Sequence, residues 1–320
     1  MSAPPYLTYS RYLRRRHGCA VYRVAVDAGF TCPNRGPDRT RAGCSYCDAD
    51  GSRAPHLARC GGSLERQVRE GISYYRRTHG AEAFILYFQA YSNTNAPVET
   101  LRRVYDEGLA LAEFRGLNVA TRPDCLDAEK ADLLASYADR GLEVWVELGL
   151  QSAHDETLAR IGRGHTVADF RRAFETLRSR GLRIAVHLIF GLPGEGKSKI
   201  EETMRSVAAL RPDGVKIHNL HVPLRTPMAR EFRHGELTVP GPQRHLEYVI
   251  EAIELLPPQT VIMRLTCDTP RENLAAPRAF WSKERFLSRL EAEMRARRAW
   301  QGRRFEARPG PRPPPHGASC

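Results

Sequence analysis

The sequence predicts an α/β fold: a partial (βα)6 TIM-like barrel with a C-terminal α/β extension. Three observations predict it. Short apolar runs alternate with amphipathic segments, the rhythm of a parallel sheet covered by helices. Six such units fit before about residue 235, which suits a partial barrel better than a closed one of eight strands. A loop carrying Cys32, Cys44 and Cys47 follows the first run, at the strand end where barrels place their chemistry.

The elements follow in order. Residues 1–18 read as a basic N-terminal arm with Arg11 and Arg14–Arg16. Residues 20–28 (AVYRVAVDA) form the first strand, and 64–78 the first helix, with Ser63 as its N-cap. The apolar run 83–89 is a buried strand, and 98–113 a helix entered through Pro97. A strand at 117–121 leads to a helix at 127–139, stopped near Gly141. Strand four is 144–150 (VWVELGL), followed by short helices at about 155–161 and 167–180. Strand five is 184–190, a helix covers 200–210, and strand six is 215–222. The barrel core is thus 19–235. After the TVPGP stretch ending at Pro242 the character changes, with a helix at 243–255, a strand at 260–265 and a helix at 279–298. This is the extension, 236–300. Residues 301–320, rich in Pro and Arg, read as a disordered tail in which Cys320 is inert.

Composition narrows the function classes. No run of eighteen apolar residues exists, so no transmembrane helix is expected. The basic N-terminus lacks the apolar segment of a secretory signal. Eight cysteines in 320 residues do not resemble a disulfide scaffold. They fit a reducing cytoplasm, where metal ligation is their expected use. The formal net charge is +12, and only five of 49 basic residues are lysines. GC-rich coding accounts for the Arg:Lys ratio but not for the excess over acids. The excess suits a polyanionic partner such as nucleic acid.

Cys32 is separated from Cys44 by eleven residues, and Cys44 from Cys47 by two. Thiolates are soft ligands for iron or zinc. A structural zinc site wants four ligands, and His56 and Cys60 are the local candidates for a fourth. Three thiolates alone leave a 4Fe–4S cluster with one iron open to a small chelator. A cluster, a zinc loop and unrelated cysteines all stay open at this point. The segment GLPGEGKS, Gly191 to Ser198, also satisfies the pattern of a phosphate-binding P-loop between strand and helix. Its place late in the chain, with no later strand ending cleanly in a metal-binding Asp, weighs against a nucleotide triphosphatase.

Several further stretches stand in a telling order: YFQAYSNTNAP (87–97), ELGLQSAHDETLARIGRGHT (147–166), HLIFGLPGE (187–195), KIHNLHVPLRTP (216–227) and RLTCDTPRENLAAP near the C-terminus. With the cysteine loop they resemble the radical S-adenosylmethionine (SAM) superfamily, in the YhcC/YtqA-like branch related to the Elongator catalytic subunit. The resemblance runs from about residue 6 to about 295. It implies a 4Fe–4S cluster on Cys32, Cys44 and Cys47, with SAM chelating the open iron through its amino and carboxylate groups. Reductive cleavage of SAM then gives a 5′-deoxyadenosyl radical that takes hydrogen from the substrate. Gln89, Tyr91 and Asn93 stand where the superfamily approaches the SAM methionine. Glu147 and Gln151 end the strand that contacts its ribose and amino-acid groups. Arg163 is positioned to meet its carboxylate. His187, His218 and His221 alternate with apolar residues, and the odd spacing of the last two puts them on opposite faces of an ideal strand. The resemblance extends to tRNA as partner, at the wobble uridine, and to a reductase or a flavodoxin- or ferredoxin-like electron donor. A small metabolite is the competing substrate, and an RNA-binding or assembly protein without turnover the third reading. No membrane partner is expected.

Overall fold

The computed structural model of the chain describes residues 4–41, 43–48, 63–267 and 271–306. His56, Cys60 and Cys320 lie outside the described residues. Helix α1 spans Tyr9–His17, and strand β1, Val21–Val26, follows at once. The cysteine loop comes next, with a short 3₁₀ turn at Pro33–Arg35. Then come α2 (Leu64–His79), β2 (Ala83–Phe88), α3 (Val98–Ala110), β3 (Gly116–Thr121), α4 (Ala128–Asp139) and β4 (Glu143–Gln151). Two helices, α5 (Asp155–Arg160) and α6 (Val167–Arg178), precede β5 (Arg183–Phe190), α7 (Lys197–Ala209) and β6 (Gly214–Asn219). The chain closes with β7 (Val222–Pro223), α8 (Pro227–Arg233), α9 (Pro242–Leu255), β8 (Val261–Arg264), β9 (Leu274–Ala276) and α10 (Lys283–Ala296).

Seven parallel strands form one curled sheet in the order β1-β2-β3-β4-β5-β6-β8, a half-barrel whose edges are β1 and β8. Alternate residues divide its two faces. Val24, Leu86, Val119, Val146, Val186 and Val215 go to the outer core with the helices. Arg23, Tyr87, Glu147, His187 and Lys216 face the concave interior, and His187 and Lys216 are direct register partners. Both faces are covered, so the strands read as nearly unbroken apolar runs.

Three boundaries differ from the sequence reading. The arm at 1–18 is not loose. Thr8 caps α1, and Tyr9 and Leu13 plug the N-terminal end of the half-barrel against Ile85, Trp145, Ala185 and Val261. Its charged face is all that the composition showed. The strand assigned to the extension is part of the main sheet, since β8 pairs with β6. Strand six stops at Asn219, and Val222 instead begins an antiparallel pair with β9. With α8 this pair makes a small cap whose own core holds Val222, Met228, Ala276 and Tyr46 of the cysteine loop.

Residues 301–306, assigned to the tail, are packed on the domain. Gln301 is buried, and its Nε2 donates to the Pro257 and Thr260 carbonyls, each at 2.7 Å, while its Oε1 accepts from Leu7 N at 2.8 Å. Arg303 pairs with Glu254 and Arg304 with Glu201. Residues 307–320 lie outside the described residues. Three hydrogen bonds of about 1 kcal/mol each fix Gln301 between the N-terminal segment and the turn before β8. Gln301→Ala is therefore expected to cost about 3 kcal/mol in urea unfolding; a loss below 0.5 kcal/mol, roughly the scatter of surface changes, would show the clamp to be idle.

Candidate active site

The cysteine loop is fastened to the C-terminal ends of the strands from several sides. Cys47 N donates to Cys44 O at 3.0 Å, closing a tight turn. Ser45 bonds on one side to Ile161 O (2.9 Å) and on the other to Met228 N (3.1 Å), so the turn sits between the end of α5 and the cap. Buried Arg35 donates to the carbonyls of Cys47 (2.9 Å) and Asp48. Asn34 reaches Cys44 Sγ at 3.2 Å and the Gly162 carbonyl at 2.7 Å. Gly164 makes room for that amide. It sits at φ +76°, and a Cβ there would meet Asn34 Oδ1 at 2.7 Å.

Two guanidinium groups come up against the sulfurs. Arg163 Nη1 lies 3.9 Å from Cys44 Sγ, while its Nη2 donates to Gly149 O (3.1 Å) and its Nε to His165 Nε2 (3.0 Å). Arg122, at the end of β3, lies 3.8 Å from Cys32 Sγ, forks onto Asp124 at 2.9 and 2.8 Å, and donates to Arg163 O at 2.6 Å. Burial raises the Cys44 thiol, but the charges of Arg163 and Arg122 outweigh it and leave its pKa below the ordinary value. Burial pushes Cys47 up to about 11, against a hydrogen bond from Arg35. His165 is lowered to about 4 by burial and by Arg163, so it is a neutral acceptor.

The barrel interior below is polar. Glu147 takes Arg23 Nη1 on Oε1 at 2.9 Å, and both Tyr87 OH (2.7 Å) and Lys216 Nζ (2.6 Å) on Oε2. Burial alone would raise its carboxyl; Lys216 and Arg23 instead hold it at about 2. Lys216 is lowered to about 8, because its burial outweighs Glu147. The depressed carboxyl supplies stability that is present above its ordinary 4.5 and lost as pH falls through about 2. Higher up, the His187 and His218 rings lie 4.4 Å apart, and Arg264 Nη1 reaches His218 Nε2 at 3.5 Å. Cys267 Sγ lies 2.9 Å from His221 Nδ1.

The residues proposed from sequence fall into three groups. Arg163 stands beside Cys44, and Gln151, at φ 74° after a register shift in β4, lies with its amide over Gly149. Gln89, Tyr91 and Asn93 form the turn after β2. Gln89 N extends the β1–β2 ladder to Val26 O, Arg39 lies 4.3 Å over the Tyr91 ring, and Asn93 Nδ2 donates to the Phe88 and Ala120 carbonyls. The Asn93 amide nitrogen is thus committed to backbone, while its Oδ1 is buried with no hydrogen-bond partner among the described residues. Glu147 is placed differently from the expectation: both its oxygens take protein cations and a phenol inside the barrel, so it organises the interior. His221 is a correction, since β6 ends at Asn219 and strand alternation no longer governs it. The P-loop pattern, which its place in the chain already weighed against, forms no phosphate cradle of side chains. Lys197 opens α7 and pairs with Glu251, and Ser198 bonds Glu202, so neither side chain turns back over the glycines. Arg122 escaped the sequence reading; its one signal is its place at the end of a barrel strand.

Parallel half-barrels with cofactor loops at the strand C-termini are a class of enzyme scaffold, and three thiols backed by arginines define a cluster-binding member of it. A family model described as the Radical SAM superfamily matches residues 32–207, and one described as the Radical_SAM C-terminal domain matches 212–296. The chain belongs to the radical SAM superfamily. It is 35% identical to YtqA of Bacillus subtilis over 304 residues, covering 94% of this chain and 93% of that protein. It is 37% identical to YhcC of Escherichia coli over 281 residues, covering 88% and 89%. Its fold is similar to that of archaeal Methanocaldococcus infernus Elp3 (TM-score 0.68, 20% identity, 88% of this chain and 64% of that chain).

The family's cofactors are a 4Fe–4S cluster and SAM, and the residues present fit them. Among the described residues no three His, Cys, Asp or Glu side chains close on a single ion. A cubane spreads its three thiolates over three irons, so it does not ask for that closure. The N–H groups of Asn34, Arg163 and Arg122 aimed at sulfur suit an anionic cluster. Cys32→Ala, Cys44→Ala and Cys47→Ala should each bring iron, sulfide and visible absorbance to background after anaerobic reconstitution; full iron in all three would reject the ligand set. Glu147→Gln should cost about 3–5 kcal/mol, because it leaves Lys216 and Arg23 buried against a neutral amide. Denaturant titration checks this, and a cost under about 1 kcal/mol would show the pair to be solvated.

Proposed function

We propose that the protein is a cytoplasmic radical SAM enzyme that modifies tRNA at the wobble uridine. The carrying observation is a field of arginines on the cap beside the cysteine loop. Arg225, Arg230, Arg233, Arg271 and Arg278 are exposed, and none joins an ion pair among the described residues. Arg233 and Arg278 line an open groove of about 460 Å³ together with Phe232, Leu224 and Val239. Arginines around an aromatic suit a phosphate backbone and a stacked base. The resemblance to the Elongator group and the fold likeness to archaeal Elp3 support the same reading. The basic face of α1 does not contribute, because α1 closes the opposite end of the barrel.

When bound, the cluster and SAM supply one-electron chemistry that yields a hydrogen-abstracting organic radical. The chain's part is to hold the thiolates, seat the cofactors and exclude water. Asn34, Arg122 and Arg163 hold the cysteine loop to the ends of β3 and β4. The cap packs on Tyr46 and so covers one side of the loop. A flavodoxin- or ferredoxin-like protein is the proposed electron donor.

The test is an anaerobic assay of 5′-deoxyadenosine with and without bulk tRNA. Product should rise with tRNA, and tRNA affinity should fall by about 10³-fold or more between about 50 and 200 mM salt. Arg233→Gln and Arg278→Gln should each reduce the salt slope by about 1. Product that ignores tRNA would make the substrate a small metabolite; zinc in place of iron, with no product, would reject the enzyme reading.

A further inference from the structure

The interior of the half-barrel holds more positive than negative charge. The register ties Gly149, His187, Lys216 and Arg264 into one layer across β4, β5, β6 and β8. Arg23 and Lys216 share Glu147. Arg264 contacts His218, and among the described residues no carboxylate pairs with it. Tyr87, His187, Lys216, His218 and His221 all feel its charge. Asp48 acts on His221, whose proton it favours. Two guanidinium groups and the Lys216 amine thus stand against one carboxylate in a partly buried chamber. Such a surplus is costly unless an anion completes it. The anionic cluster would face Arg122 and Arg163 at the cysteine sulfurs, not Arg264. The sulfonium of SAM is cationic, and its amino and carboxylate groups would both go to the open iron.

We propose that Arg264, with His187, His218 and Lys216 around it, is the seat for an oxyanion carried by the substrate, a carboxylate or a phosphate. The layer that bears Arg264 is the one to which Arg163 is bonded at Gly149, and Arg163 touches Cys44. The seat therefore opens beneath the cysteine loop, where a substrate must come to meet the radical. A guanidinium fork reads either oxyanion through two parallel hydrogen bonds. The inference rests on the barrel being the reaction chamber, and not on the substrate being tRNA.

The test uses the cluster-loaded, SAM-bound enzyme and two probes, acetate and inorganic phosphate, titrated anaerobically at low ionic strength. Arg264→Gln should weaken the preferred anion at least tenfold, and Arg264→Lys by less. Arg69→Gln, on the exposed face of α2, measures background binding to a cationic chain and should stay within twofold. Preference for acetate assigns a carboxylate, and preference for phosphate a phosphate. Equal anion affinity in wild type and Arg264→Gln overturns the inference. So does a loss of SAM affinity that matches the loss of anion affinity, because the seat would then be part of the cofactor site. If neither Arg264 variant folds, selenate located by anomalous diffraction in wild-type crystals decides: a site against Arg264 sustains the proposal, and no site within the barrel overturns it. A tRNA-independent enzyme with an intact anion seat would remove the tRNA reading alone.

Discussion

A half-barrel with charged residues inside stands or falls on how those charges are paired, and here one carboxylate does the pairing. Glu147 gathers Arg23 from β1, Tyr87 from β2 and Lys216 from β6 onto its own strand, β4. Four of the seven strands meet at one pair of oxygens. In a medium of low polarity these contacts are stronger than in water, and each lost partner strands a buried charge. The net worth of such a knot against an apolar core is small. Its contribution is to fix which strands curl toward which, and so the shape of the chamber above it.

The interior is layered, and each layer supports the next. At the bottom Tyr9 and Tyr12 set their rings edge-on to Trp145, at 5.7 and 5.5 Å. Arg23 lies over both the Tyr9 and Tyr87 rings at 5.0 Å, joining the aromatic plug to the charged layer. Above Glu147 on the same strand face is Gly149, whose missing side chain is occupied space. A Cβ there would fall 2.6 Å from Arg163 Nη2 and 2.8 Å from Gln151 Nε2. The glycine lets Arg163 lie flat across the strand and reach Cys44.

Much of this was legible in the sequence. The strands announced themselves because both faces are covered, which forces continuous apolar runs. The cysteine loop was legible because three soft ligands at a strand end have few other uses. What failed had a common cause: roles set by long-range register leave little local trace. Arg122 sits in an ordinary TRPDC stretch, and only the β3–β4 register brings it to Cys32 and Arg163. Glu147 looked like a cofactor contact because it ends an apolar run; its partners are 124, 60 and 69 residues away. Helix α1 was hidden by its own arginines, which cover the solvent face of a segment whose Tyr9 and Leu13 are core.

The two arginines at the sulfurs are not equivalent, and the difference bears on the thiolates. Arg122 is forked onto Asp124, so much of its charge is answered before it reaches Cys32. Arg163 meets only neutral partners besides sulfur: a carbonyl, and a histidine that burial and Arg163 itself keep uncharged. A buried guanidinium answered by neutral dipoles keeps its field, and the nearest group able to answer it is Cys44. The thiolate and the cation therefore stabilise each other across 3.9 Å. Charge at Cys44 is thereby fixed by β4 through Gly149, which makes the ligand loop an extension of the sheet that carries it.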